Sequence, residues 1–230
     1  MANLACYAGK CNRGVSVFCL TALSGILAPV IFILLMVTIE SIQPGYSPVR
    51  DTISGLVIGF DGWVQNFGFF LFGFLFMVFS LRLYASTNRQ ATSLIGMIFF
   101  LMAGLGFFAV GAFPMTENAV RWHAIRPVHV TAAISTVSFF ILGCFAYTVD
   151  FGKDSPWHKY RRFTALTAVI SLIFMAFWIA APVSWGLRGL FERLVALAGF
   201  PWIEIVSIRL FRYCIHKNTQ KEELPVQVKN

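Results

Sequence analysis

The side chains that could carry chemistry are few, and they lie in three short polar segments between long apolar runs. The first segment contains Asp51 and Ser54, the second leads up to His129, and the third contains Glu192 and Arg193. A carboxylate and an imidazole can transfer protons, and a guanidinium is suited to holding an anionic group. These residue types are therefore compatible with a hydrolase or transferase, and equally with a binding site.

The first segment is predicted to contain a short helix at the membrane interface. Ser47 followed by Pro48 is typical of a helix start, with a capping residue before a proline in the first turn. Asp51 and Ser54 are three residues apart and would share a face of that helix. They would either line a polar site, or Asp51 would only complement the helix dipole while Arg50 contacts lipid phosphate.

The second segment ends at His129, the strongest candidate for proton transfer. Pro127 is predicted to begin the fourth apolar helix, which places His129 in its first turn, where the helix dipole favours the neutral imidazole. His123 is interpreted as an interfacial residue, and Arg126 as a binding residue. No third ligand accompanies the two histidines, so no metal site is predicted. The alternative for His129 is a structural hydrogen bond.

The third segment opens the last apolar run. Arg188 and Glu192 are four residues apart, a spacing that permits an ion pair on a helix. Arg193 is predicted to point into the protein toward Asp51 or Glu192, or else to reach the headgroups. Further along, Glu204 is an intramembrane carboxylate, which suggests proton coupling, although local hydrogen bonding near the interface explains it equally well.

The elements that position these residues are membrane spans. Hydrophobic residues make up 58% of the 230 residues and charged residues only 12%, whereas a soluble domain is about a quarter charged. The apolar runs are continuous rather than alternating, which predicts helices and not a barrel. An all-α bundle of six transmembrane helices follows, with spans at about 15–39, 63–84, 92–112, 127–148, 163–182 and 189–211.

The basic residues predict the orientation of these spans. Thirteen of the 18 Lys and Arg residues lie in the N-terminus, in the tail from Arg209 onward and in the connections 82–91 and 149–162. Because basic residues collect in cytoplasmic loops, both termini (1–14 and 214–230) are predicted to be cytoplasmic and the three polar segments to face outward. The membrane domain is 15–213, in the plasma (inner) membrane. The net charge of +8 is thereby explained by topology, and nucleic acid is not expected as a partner.

The cysteines are odd in number and lack the spacing of a metal finger: Cys6, Cys11, Cys19, Cys144 and Cys214. They are interpreted as reduced cytosolic thiols, with lipidation as the alternative.

The order of the motifs resembles an uncharacterised family of six-helix membrane proteins, domain of unknown function 998. The matching stretches are 46–54, Gly111-Ala-Phe-Pro114, His129 and Gly189-Leu-Phe-Glu-Arg193, and the resemblance covers about residues 15–213. It implies a six-span bundle with an outward polar cluster formed by Asp51, Ser54, His129 and Arg193, and it implies no activity.

Three functions remain open from the sequence. The favoured one is a non-catalytic sensor or accessory component whose outer cluster engages lipid headgroups or an amphipathic small molecule. A membrane hydrolase or transferase would use Asp51 and His129, with Ser54 assisting and Arg193 holding an anionic group. A small-solute or proton-coupled transporter would use Glu204. Membrane lipids are the expected partners, a protein partner or a second copy is left open, and the sequence specifies no cofactor.

Overall fold

In the part of the chain that the structure describes, the protein is a bundle of six long helices, each apolar enough to cross a membrane. The computed structural model describes residues 17–154 and 156–223. The all-helical, six-span prediction is confirmed. The helices are α1 (Val17–Ile42), α2 (Gly62–Ser86), α3 (Ala91–Ala112), α4 (Ala119–Lys153), α5 (Arg161–Ala180) and α6 (Arg188–Glu223).

The helices form a ring in which each one packs against its neighbours in the sequence, and α6 closes the ring against α1. The outer surface of the spans is apolar, with many exposed leucine, isoleucine and valine side chains and some exposed phenylalanines. The interior is filled by large side chains such as Phe76, Phe79, Phe100 and Trp202. At the contact of α2 with α3, a Cβ on Gly73 would lie 2.7 Å from the Gly104 carbonyl oxygen, so glycine permits this close approach.

Helix α4 begins earlier than predicted. Asn118 caps it by accepting a hydrogen bond from the Arg121 amide at 2.9 Å, and the helix starts at Ala119 rather than at Pro127. Pro127 lies inside the helix, where a proline removes one backbone hydrogen bond without ending the element here. His129 is therefore in the third turn, and the prediction that it feels the positive end of the helix is wrong.

The connection from α1 to α2 also differs from the prediction. Its helical part is a 3-10 helix at Ile53–Val57 and does not begin at Pro48. Before it, Ser47 and Asp51 close a single turn, in which the Asp51 amide donates to the Ser47 carbonyl at 2.7 Å. The Asp51 carboxylate in turn accepts the Ser47 amide at 2.8 Å. We call residues 43–58 the roof segment, because they cover one end of the bundle.

The two ends of the chain are joined by a disulfide between Cys19 in α1 and Cys214 in α6, whose Cα atoms are 5.6 Å apart. The interpretation of these two cysteines as reduced thiols is therefore wrong. Cys144 is a free, buried thiol, and Cys6 and Cys11 lie outside the described residues.

Candidate functional site

Arg193 is the centre of a polar network that fixes the roof segment to the bundle. Its guanidinium forms an ion pair with Glu40 in the last turn of α1 and donates to the Tyr46 hydroxyl at 2.7 Å. The side chains of Arg193 and Glu40 are only 13% and 14% exposed. Nη1 donates to three backbone carbonyls, those of Pro48, Asp51 and Gly189, at 2.7, 3.0 and 3.0 Å. One side chain thus joins α1, the roof segment and α6.

The backbone of the roof segment lies directly on the first turn of α6. The Leu190 amide donates to the Val49 carbonyl at 2.9 Å. Gly189 is required at this contact, because a Cβ there would be 2.2 Å from the Asp51 carbonyl oxygen. At the start of α6, Gly189 therefore permits the close backbone contact, and the charged residues Glu192 and Arg193 follow it within one turn.

This arrangement shifts the pKa values of two side chains in the roof segment. Burial raises the pKa of Tyr46 to about 12, in spite of the hydrogen bond from Arg193. The Tyr46 hydroxyl donates to the Thr52 carbonyl at 2.8 Å. Hydrogen bonds from Arg50, at 2.9 and 2.8 Å, lower the pKa of Asp51. Tyr46 is therefore a neutral hydrogen-bonding group, and Asp51 is an ionised carboxylate at the surface.

Beneath the roof segment, the bundle contains a partly open cavity of about 120 Å³. Among its described lining residues, Glu192 is the one ionisable group, and Ser54 and Thr136 are the other polar ones. Glu192 Oε2 accepts the Ile53 amide at 2.6 Å. The walls are aromatic, with eight ring-bearing side chains: Phe32, Phe69, Phe72, Phe76, Phe107, Phe140, Trp178 and Phe200.

The aromatic walls form a continuous ring cluster. The Phe72 ring centroid is 4.6 Å from that of Phe107, 5.2 Å from that of Phe200 and 5.3 Å from that of Phe32. Away from the roof segment, Phe76 contacts Phe100 at 5.3 Å. Phe100 packs in turn on Trp202 at 5.4 Å. The cavity is thus polar at its roofed end and closed by packed rings at the other.

The sequence-predicted catalytic residues occupy different surroundings. His129 is buried on α4, and its Nδ1 is 2.8 Å from the Phe113 carbonyl oxygen at the end of α3. The carboxylate of Asp51 is bonded to Ser47 and Arg50. The structure gathers Asp51, Arg193 and Glu192 around the roof segment, but it gives Asp51 and His129 different partners. Their use as an acid–base pair stays a prediction.

The remaining predicted residues lie farther from the cavity. Arg50 and Arg126 are exposed. Arg188, whose spacing permits an ion pair with Glu192, lines a surface depression of about 340 Å³ above the roof segment, together with Arg50. Glu204 is half-buried on α6, just past Ile203, the last residue of that helix in the cavity wall. Within the described residues no three His, Cys, Asp or Glu side chains converge as metal ligands would.

Two residues of the network were not identified from the sequence. Glu40 is 153 positions from Arg193, so no local spacing connects the pair. The position of Glu40 in the sequence could have identified it, because a single carboxylate near the end of an apolar run needs a partner. Tyr46 opens one of the motif stretches, but a tyrosine beside a membrane span is most simply explained as an interfacial anchor.

A ring of six apolar helices, with a polar network across one end and an aromatic cavity beneath it, defines an integral membrane helical bundle with an internal site. The chain belongs to the family described as protein of unknown function (DUF998), whose model matches residues 26–209. Comparisons with curated proteins and with solved structures give no match. The family agrees with the architecture and assigns no activity.

Proposed function

We propose that the protein binds an amphipathic small molecule or lipid, with its apolar part in the aromatic cavity and its polar part toward the roof segment. The observation that carries this proposal is the cavity of about 120 Å³ directly beneath an ordered polar network. An apolar cavity of about 150 Å³ stays dry and accepts a molecule of the size of benzene. The cavity therefore suits a ring or a short length of acyl chain.

The proposed orientation places the roof segment at the outer surface and the termini in the cytoplasm. It rests on the thirteen basic residues of the termini and of the connections at that end, against five elsewhere. The depression that Arg50 and Arg188 line would then face the outer headgroup layer. Guanidinium groups are suited to contacting lipid phosphate there.

A binding role, as a sensor or accessory component, accounts for the site better than catalysis does. Asp51 is held by Arg50 and the Ser47 amide, and the His129 ring is engaged by the Phe113 carbonyl. The hydrogen bonds of both side chains are therefore explained by structural roles that need no substrate. Transport is less well supported, because the packed rings of Phe100 and Trp202 separate the cavity from the other end of the bundle.

Photolabelling with a neutral probe tests the binding proposal. The protein would be placed in phosphatidylcholine nanodiscs with a diazirine-bearing fatty alcohol, and the labelled residues located by mass spectrometry. Ala196→Phe puts a ring into the cavity wall, one turn after Glu192. Ala176→Phe is the matched control, because Ala176 is exposed on the outer face of α5.

We expect cavity residues to be labelled in the wild type and in Ala176→Phe, and to lose the label in Ala196→Phe. Labelling confined to residues exposed on the outer face, or unchanged labelling in a folded Ala196→Phe protein, would overturn the proposal.

A further inference from the structure

We infer that the cavity selects a cationic amphiphile, an organic ammonium group that pairs with the Glu192 carboxylate while its substituents contact the aromatic rings. This inference rests on the proposed binding function and adds the chemical class of the ligand. It is carried by two independent features of the site: a carboxylate in the cavity wall, Glu192, that forms no ion pair with a described residue, and walls made of aromatic rings.

The pairing of the neighbouring ions leaves Glu192 without a counter-charge in contact with it. Near the roof segment, Arg193 pairs with Glu40 and Arg50 pairs with Asp51. Arg193 acts on Glu192 at longer range, but its own hydrogen bonds go to Glu40, Tyr46 and backbone carbonyls. Glu192 thus accepts backbone amides, those of Ile53 and Ser54, and forms no ion pair with a cationic side chain among the described residues. A carboxylate without a paired charge inside a membrane bundle is costly, and a bound cation would supply that charge.

The walls suit the same ligand. Aromatic faces carry negative charge, and a cation within about 6 Å of a ring centroid is attracted to it, most strongly where water is excluded. Phe32, Phe72 and Phe200 have mutual centroid distances of 5.2–5.8 Å, and all three line the cavity with Glu192.

Other ligand classes fit less well. An anionic headgroup entering the cavity would meet the Glu192 carboxylate and the negative ring faces, and both would repel it. A neutral alcohol would gain a hydrogen bond to Glu192 but would leave its charge unpaired. An ammonium group can pair with the carboxylate and contact the aromatic rings at the same time.

The test compares three soluble amphiphiles of equal chain length: an alkyl trimethylammonium, the alkyl alcohol and the alkyl sulfate. Each would compete with the diazirine fatty alcohol for cavity labelling in nanodiscs, with concentrations corrected for partitioning into protein-free nanodiscs. Glu192→Gln removes the charge and keeps an oxygen that can accept the Ile53 amide. Glu204→Gln is the matched control, since it removes a carboxylate from the same helix outside the cavity wall.

In the wild type and in Glu204→Gln we expect the trimethylammonium compound to displace the label at about tenfold lower concentration than the alcohol, a difference of about 1.4 kcal/mol. Glu192→Gln should abolish this advantage. If the neutral probe labels the cavity but the cation has no advantage, or the sulfate competes best, the inference is overturned and the binding proposal stands. If the neutral probe never labels the cavity, the binding proposal itself fails.

Discussion

Removing Arg193 should release the roof segment and destabilise the whole bundle. In Arg193→Met the Glu40 carboxylate, 14% exposed, loses its ion-pair partner, and three backbone carbonyls lose a donor. Breaking a buried pair from one side costs about 3–5 kcal/mol, and the low exposure of both side chains places this pair in that class. We therefore expect the free energy of unfolding to fall by about 3 kcal/mol or more.

The assay is reversible unfolding by sodium dodecyl sulfate in mixed micelles, followed by far-ultraviolet circular dichroism. The double variant Arg193→Met with Glu40→Met removes both charges, so it should be less destabilised than Arg193→Met alone. Arg50→Met is the matched control. Its ion pair with Asp51 is largely exposed, with the Arg50 side chain 60% accessible, and exposed pairs contribute little.

Two results would refute this reasoning. One is an Arg193→Met protein that unfolds at the same detergent fraction as Arg50→Met. The other is a double variant that loses the sum of the two single losses, because additive losses would mean that Arg193 and Glu40 are not energetically coupled.

Three further predictions concern single residues. Gly189→Ala should weaken packing of the roof segment and lower the unfolding midpoint. Gly55→Ala should change the midpoint little, because the nearest atom to a Cβ at Gly55 is 3.4 Å away. Equal effects of the two substitutions would contradict the close contact at Gly189. His129→Ala removes the hydrogen bond to the Phe113 carbonyl and should cost about 1–3 kcal/mol of stability. No lipid should accumulate in cell extracts of this variant. Accumulation of a lipid would support the hydrolase alternative. Burial raises the pKa of Tyr46 to about 12, so its stabilising contribution is complete below pH 10 and is lost as the pH rises toward 12. The ultraviolet titration curve of Tyr46→Phe should therefore lack a phenol component at high pH. A curve identical to that of the wild type would contradict the burial of Tyr46.

The spans could be predicted from the sequence because the bilayer sets a length that every apolar run must meet. Helix α3 was predicted at about 92–112 and lies at Ala91–Ala112. The start of α4 differs from the predicted start at Pro127, because Asn118 caps the helix and α4 begins at Ala119. A proline is only a probable helix start, since the fold tolerates the loss of one hydrogen bond.

The network was predictable only in part. Arg193 and Asp51 were selected because charges are rare in this chain, but the carboxylate that Arg193 binds is Glu40, at the far end of the sequence. The cavity could not be predicted at all. Spans facing lipid and core are equally apolar, so the sequence does not indicate which of the 25 phenylalanines point inward.

The central claim is that the cavity beneath the roof segment holds an amphipathic ligand, and small-molecule and lipid analysis of the purified protein tests it most directly. Wild type, Ala196→Phe and Ala176→Phe would be purified in the same detergent, extracted, and compared by quantitative mass spectrometry. The account predicts an amphipathic molecule that copurifies with wild type and Ala176→Phe and is lost from Ala196→Phe. The same extract from all three proteins would contradict it.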